Sequence, residues 1–385
     1  MWHGPEAVLN QHIFKVVPVA AMSDHSFVRW ALKNAIDEMW RGEHTHGTTM
    51  RHINRGPFLA HRLNLPPASE QVRIADAVES YLTRLDDAVA SLERAQAKLK
   101  AYRASVFKAA VEGRLVPTEA SLARAEKRDY ERAQVLFARI LKERRRRWEE
   151  AELAKLKATG KTPKDDKWKA KYDDPVAPDT STLHELPEGW RWARLEQVTD
   201  VQLGQQRAPI HANAKEHIPY IRAANITWSG LDLSDVKEMG FPNPERYRLL
   251  YGDVLLSEAS GSPMEAGKPA IWRNEFPGAC YQKTLLRVRA IDARLLLPEY
   301  LRLVFLRDCV TGKFARLAPG VGIVHLTAER MLVWPIPLPP LPEQQRIVDE
   351  ADRLESFATN AQSNARTQLA RLSEDRQMAM ISARD

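Results

Sequence analysis

The sequence predicts an α+β fold: mixed helix-and-strand globular modules, each followed by a long coiled-coil helix, with the whole pattern used twice. Three observations carry this. The phrase LPPASEQVRIADA at 65–77 returns as LPPLPEQQRIVDE at 338–350, and at an offset of 273 residues Leu65, Pro66, Pro67, Glu70, Gln71, Arg73, Ile74 and Asp76 each meet an identical residue. Each phrase opens a stretch in which apolar residues recur every three or four positions, the spacing of one helical face. Residues 186–337, ahead of the second phrase, carry short β-rich runs broken by turn residues.

The bounds agree. A chain of 385 residues has room for two or three domains with real cores. Its 44% apolar and 28% charged residues exclude a disordered polypeptide. Two cysteines, Cys280 and Cys309, with no Cys-x-x-Cys pair, point to a reducing compartment and exclude a cysteine-based zinc site. The apolar stretches VVPVAAM and MLVWPIPLPPL are too short or too proline-broken to span a bilayer, and Met1 to Met22 lacks the charged start of a signal peptide. A cytoplasmic protein without a membrane partner is expected. The net charge is +7, and Arg139 to Lys171 alone holds thirteen Lys/Arg against six Asp/Glu. Such an excess fits a polyanion, most often nucleic acid. A solvated helix laced with i,i+4 pairs accounts for ERRRRWEEAE equally well.

Taken in order, residues 1–62 form the end of a first globular module, with a helix near 26–40. The first long helix (63–113) has a seam of Ile74, Val78, Tyr81, Leu85, Ala88, Leu92, Ala95, Leu99, Tyr102 and Val106. That 4,3 stepping makes five heptads and a helix of roughly 60 Å. Residues 114–185 read as a charged helix followed by an extended or mobile linker, TGKTPKDDKWKAKYDDPVAPDTST. In the module at 186–337, HIPYIRAANITW, GDVLLSEAS, PAIWRN and KTLLRVRA read as strands, and PEYLRLVFLRD as a helix. The second long helix (338–385) repeats the seam as Ile347, Ala351, Leu354, Ala358, Ala361, Ala365, Gln368 and Leu372, small where the first is large. Complementary seams predict that the two helices pair antiparallel within one chain.

Upstream the copies also align. Gly47 matches Gly320, His52 matches His325, FVRWAL at 27–32 matches YLRLVF at 300–305, and NQHIFKVV at 10–17 matches YQKTLLRV at 281–288, now at an offset of 271. Projected back by that offset, Leu186 falls ahead of Met1, so the first module is expected to lack its N-terminal half.

VFKAAVEGRLVPTEA (106–120), LPEGWRWARLEQV (186–198) and the twice-used LPP…EQ.RI phrase together make the chain resemble the specificity subunit of type I restriction–modification enzymes. The resemblance implies two target-recognition domains with an internal pseudo-twofold repeat. Each reads half of a bipartite site in double-stranded DNA, while the two helices act as a ruler between them and bind two methyltransferase (modification) subunits. S-adenosylmethionine is then carried by those partners and cleavage by a separate restriction and motor subunit. The chain itself is expected to be non-catalytic, with no cofactor and no metal.

A pair of readers on a rigid spacer suits two half-sites at fixed separation. Reading base edges calls for Arg, Asn, Gln and Lys, and phosphate contact for small polar loop groups. The candidates in the second module are Gln205, Gln206 and Arg207 of GQQR, Arg222, Asn225, Ser257 and Ser260 of SEASGSP, Lys268, Gln282, Lys283, Arg316 and His325. In the first module they are His12, Thr48, Thr49 and His52. His325 has a second reading, as a core residue bonded toward the helix start. The Arg144–Arg147 run has three: DNA, an acidic partner surface, or neutralisation by Glu149, Glu150 and Glu152.

Enzyme motifs fail on spacing or setting. GSPMEAGKP (261–269) has five residues between its glycines where a P-loop needs four, and Pro269 stands at the magnesium-binding hydroxyl. DDK at 165–167 sits in the linker, where nothing preorganises it. His44, His46 and His52 lack carboxylate partners for a metal. FPNPERY (241–247) has no glycine-rich cofactor loop beside it. The functional alternatives are a coiled-coil scaffold or adaptor without DNA readout and, more distantly, a standalone nuclease or methyltransferase.

Overall fold

The computed structural model of the chain describes residues 13–19, 21–41, 45–46, 52–160, 163, 165–208, 217–260, 265–317 and 324–382. It divides into two compact units, Met1–Lys100 with Thr359–Asp385, and Ala101–Ala358.

The first unit holds α1 (His25–Arg41), β1 (Thr45–His46) paired antiparallel with β2 (His52–Ile53), α2 (Arg55–Ala60) and most of α3 (Ala68–Val111). Phe27, Ala35 and Met39 of α1 are buried, as are Ala75, Leu82 and Leu85 of α3. Trp30 of α1 donates to Glu79 of α3 at 3.4 Å.

The second unit begins with the last turns of α3 and continues into α4 (Glu119–Glu126) and α5 (Ala133–Ala158). Thr118 caps α4 through the Ser121 amide, and Lys127 ends it in the left-handed conformation. Then follow β3 (Arg191–Arg194), α6 (Leu195–Val198), β4 (Thr199–Leu203), β5 (Ile218–Ile221), β6 (Ile226–Thr227), β7 (Gly230–Leu231), β8 (Lys237–Met239) and α7 (Pro244–Tyr247). The remainder is β9 (Val254–Ser257), β10 (Ala259–Ser260), β11 (Pro269–Ile271), β12 (Cys280–Tyr281), β13 (Leu285–Ala290), α8 (Pro298–Val310), β14 (Val324–His325), α9 (Ala328–Leu332), β15 (Pro335–Leu338) and α10 (Leu341–Ser382).

Its centre is an antiparallel sheet in the order β11-β9-β13-β4, with β12-β5-β8 as a second, mixed sheet. Strand β13 reads LLRVRA with almost every residue buried, because it is flanked on both sides. β3 pairs with β15, so the start and end of the module close on each other. One core joins the sheet to the helices: Val254, Leu286 and Val288 share it with Tyr300, Leu301 and Phe305 of α8. Val106, Phe107 and Ala110 of α3, Leu136 and Ile140 of α5, and Ile347, Val348 and Ala351 of α10 belong to the same core. Arg346 of α10 also reaches the Pro117 carbonyl, just beyond the end of α3, at 3.4 Å.

The duplication holds in three dimensions. α1 and α8, α2 and α9, and α3 and α10 each begin 273 residues apart. The expected seam of α3 needs a correction in one of its two rows. Val78, Leu85, Leu92, Leu99 and Val106 are buried or half-buried as expected, and Ile74, Ala88 and Ala95 are half-buried. Ala75, Leu82 and Ala110, one residue later than the second row or its continuation, are buried more completely. Tyr81 and Tyr102 are exposed. Both readings step by sevens, and Leu82 and Val89 offer more apolar surface than Tyr81 and Ala88 without a hydroxyl to solvate. In α10 the expected seam holds except at Gln368, which is exposed beside the half-buried Leu369.

The linker reading is corrected too. Asp166–Lys171 forms a 3-10 turn, Trp168 stacks on Trp148 of α5 at 6.1 Å, and Tyr172 meets Trp148 edge-on at 5.2 Å. Aromatic area and an Arg144 hydrogen bond to the Tyr172 hydroxyl hold a stretch that its Lys and Asp content alone would leave loose.

Candidate nucleic-acid interface

The candidate residues of the second module are scattered over more than a hundred positions, but one end of the central sheet gathers most of them. β4 ends there, β13 begins there, and β5, β9 and β12 end there. Thr284 is the knot. Its carbonyl accepts from the Glu258 amide at 2.8 Å, its hydroxyl accepts from the Ala223 amide at 3.1 Å, and the same hydroxyl donates to Gln282 Oε1 at 2.6 Å. Four further backbone bonds complete the rim. Gln205 donates to the Tyr281 carbonyl, Lys283 to Gln205, Gln282 to Ile221, and Leu326 to Glu258. Gly204 is required for this closeness, since a Cβ there would collide with the Gln282 carbonyl.

On this frame Gln206, Arg207 and Lys283 are exposed. Arg207 and Lys283 supply positive charge and Gln206 an amide that both donates and accepts, the chemistry a base edge or a phosphate requires. Gln205 is half-buried, its amide turned to the Gln206 carbonyl, and Gln282 spends its carbonyl oxygen on Thr284. Arg222 pairs with Asp235. Arg316 is exposed on the turn after α8.

Two candidates work differently from the sequence reading, and a third, His325, keeps one of its two readings. Asn225 is buried, donating to the carbonyls of Asp232 and Asp235 and accepting from the Arg222 amide. Ser257 is buried, donating to the Glu265 carbonyl and accepting from the Lys268 amide. Both side chains are buried, and the hydrogen bonds they make shape loops of their own chain. His325 is not in the core: it is half exposed, with Nδ1 2.9 Å from Glu258 Oε1, on a strand paired with β10. Lys268 is mostly covered; its ammonium lies 3.4 Å from Glu265 and 5.6 Å from the centre of the Trp228 ring. Ser260 and His52 are described in backbone only, in β10 and β2, while His12, Thr48 and Thr49 lie outside the described residues.

Sequence reasoning missed the knot residue Thr284, the rim carboxylate Glu258, and Trp228. The last stands 43% exposed at the tip of the β6–β7 hairpin, next to Lys268. An aromatic in the turn of TWSG was the available signal. The Arg144–Arg147 run resolves toward internal use. Arg144 bonds the Glu196 carbonyl, while Arg145 pairs with Glu149, Arg146 with Glu143 and Glu150, and Arg147 with Glu143. Hydrogen bonds from Arg146 and Arg147 hold the Glu143 carboxyl down at about 2. FPNPERY is structural, with Asn243 capping α7, and DDK is a local turn in which Asp165 accepts from the Lys167 amide.

Behind the rim, the junction of module and helix is a buried charge cluster. Glu343 accepts from Trp190 Nε1 at 2.9 Å and from the Glu119 amide at 2.8 Å. Burial pushes the Glu343 carboxyl upward. Burial also opposes ionisation of Glu119, yet hydrogen bonds from Arg128 and Arg346 outweigh it and hold that carboxyl below its usual range. Both thiols are buried and raised by desolvation, Cys280 to about 11 and Cys309 to about 12. Among the described residues no trio of His, Cys, Asp or Glu is placed to hold a metal, and no helix is long and apolar enough to cross a membrane.

The family model described as type I restriction modification DNA specificity domain matches residues 187–369. The EcoDI specificity subunit of Escherichia coli is 21% identical over 376 residues, which is 97% of this chain and 72% of that protein. The EcoKI specificity subunit of Escherichia coli strain K12 is 27% identical over 180 residues, 44% of this chain and 37% of its own. Among solved structures, the HsdS subunit from Thermoanaerobacter tengcongensis aligns with a TM-score of 0.50 at 18% identity, covering 94% of this chain and 70% of that one. A chain from a structure of complex assembly and conformational transition of the type I R-M system aligns with a TM-score of 0.58 at 17% identity, covering 94% of this chain and 71% of that one. These two likenesses establish the shared α+β architecture with long helices. The specificity domain matches the module that carries the rim, and a relative aligned over nearly the whole chain is itself a specificity subunit, so this protein is similar to the specificity subunits of type I restriction–modification systems.

Proposed function

We propose that residues 186–337 form a target-recognition domain that reads one half-site of double-stranded DNA through the rim around Thr284. The two long helices are the spacer on which methyltransferase subunits dock. The observation that carries this reading is convergence: loops at 204–207, 222–225, 258–260 and 282–284 meet at one sheet end through main-chain bonds. That construction leaves Gln206, Arg207 and Lys283 pointing outward on a fixed frame. Such a frame suits discrimination, because an ordered donor array loses little entropy on binding a matching base edge. Trp228 adds a stacking surface beside it.

In this reading the chain contributes no bond-making chemistry. The methyl donor S-adenosylmethionine belongs to the modification subunits, probed as a pair, and cleavage to the motor subunit, all in the cytoplasm. The competing reading, a scaffold without DNA readout, has no use for an outward cluster of Arg, Lys and Gln on a braced rim. Selection of methylated DNA from a random pool by the chain assembled with modification subunits tests the proposal. A recovered sequence block that changes when Gln206 and Arg207 are replaced supports it. Assembly with methylation of no preferred sequence sinks it in favour of the scaffold.

A further inference from the structure

Gln71 and Gln344 stand at the same place in the repeated phrase, and both are fully buried. Each makes three hydrogen bonds. Gln71 donates to the carbonyls of Pro66 at 2.7 Å and Met22 at 3.0 Å, and accepts from the Asp24 amide at 2.8 Å. Gln344 donates to the carbonyls of Pro339 at 3.1 Å and Leu295 at 3.2 Å, and accepts from the Leu297 amide at 3.0 Å. All three partners differ by 273 residues between the copies, as the glutamines do.

A glutamine that merely capped its own helix would need only the carbonyl five residues back. The other two bonds reach 47 and 49 residues back in each copy, to the segment that leads directly into α1 or α8. Each glutamine therefore ties the start of a module's helix to the start of the following long helix. In the second copy, α8 packs on β9 and β11, the strands whose ends carry rim residues 257–260 and 268. The chain of rigid contacts runs from the rim through β9 and α8 to Gln344 and into α10. Glutamine suits the post uniquely, because it both donates twice and accepts without bearing charge. Glutamate could not donate, and methionine, of similar length, could do neither.

We infer that Gln71 and Gln344 are positioning residues that seat each globular module on its long helix and so fix the direction in which the reading rim faces. The significance for DNA rests on the recognition function proposed above, but the seating itself does not. Neither glutamine touches DNA in this scheme; each acts through the module it holds.

The test uses the full chain with Glu238→Cys on β8 and Ser356→Cys on α10 as spin-label sites, both exposed. The native cysteines are buried and stay unlabelled. Gln344→Met should speed hydrogen exchange at the Leu297 amide and broaden or shift the label-to-label distance distribution, while near-ultraviolet circular dichroism of the recognition domain stays native. Gln71→Met should leave that distance unchanged. In the assembled complex Gln344→Met should keep the selected half-site sequence but weaken binding per folded molecule, the folded fraction being read from the native circular dichroism signal. An unaltered distance distribution with the Leu297 amide exposed overturns the inference. So does loss of the domain's fold in both Gln344→Met and Gln344→Glu, which would make this glutamine a folding residue. The distance is read without DNA, so a chain that bound no sequence would sink the functional reading alone.

Discussion

The two helix starts offer a comparison within one chain. Gln71 and Gln344 make the same bonds at the same offset, whereas the glutamates beside them part company. Glu70 is exposed and sits 3.8 Å from Arg73. Glu343 is buried and holds Trp190 and the Glu119 backbone. The strand segments differ in the same way: Leu285 and Val288 in β13 are fully buried between two neighbours, while Phe14 and Val17, their counterparts at the 271-residue offset, are 37% and 67% exposed. Features written inside the repeated phrase survive in both copies. Features that depend on segments brought from elsewhere differ with what those segments supply.

The largest expected break in this comparison lies along the seam. Leu85→Asp buries an unpaired charge and should cost at least about 3 kcal/mol, whereas Tyr81→Asp on the exposed side should stay within about 0.5 kcal/mol. Chemical denaturation of both variants checks it, and equal losses would restore the seam register expected from sequence. Docking of modification subunits should fail with Leu85→Asp and persist with Tyr81→Asp.

Next comes the glutamate pair. Glu343→Ala orphans two buried donors and should cost about 2–3 kcal/mol, against less than about 0.5 kcal/mol for Glu70→Ala. The pH dependence sharpens the contrast. A carboxyl raised on folding favours the folded state fully below its ordinary value of 4.5 and loses that contribution as pH climbs through the raised value. Glu343→Gln removes this loss, so its melting temperature should gain on the unmodified chain as pH rises from 4 toward 7. A gain in the opposite direction would refute the raised carboxyl. Glu119 works with the reverse sign: lowered on folding, it stabilises above 4.5 and ceases to as pH falls through its lowered value.

Smaller effects are expected at the rim. Arg207→Ala or Gln206→Ala should relax preference at one half-site position by about 1–3 kcal/mol per lost contact, seen as a change in the selected sequence. Lys283→Ala should weaken all sequences alike and reduce the slope of binding against salt by about one. Uniform losses from all three replacements would remove base readout from the GQQR loop.

Much of this architecture was legible in the sequence because it is periodic or repeated. The helix starts, the strands over HIPYI, VLLS, PAI and LLRVRA, and the closing helix α8 stand where alternation and turn residues put them. Tyr81 and Tyr102, expected in the seam but exposed, show the limit of spacing alone, since a heptad pattern admits two neighbouring readings and only packing chooses. The candidate loops were legible as regions. Asn225 and Ser257 were not, because a polar side chain reads the same in sequence whether it meets a ligand or a carbonyl of its own chain. Thr284 was invisible for a stronger reason: its importance lies in partners 26 and 61 residues away, which no local pattern records.

The knot at Thr284 also bears on how such a chain can change its target over evolutionary time. Most of the bonds that gather the rim run between main-chain amides and carbonyls, groups that nearly every residue carries. Replacing Gln206, Arg207 or Lys283 therefore alters the chemical lettering on the rim without moving the rim itself. Under the proposed function, a lineage acquires a new DNA word by drift at a few outward positions, while the sheet end and the helix seat stay as they were.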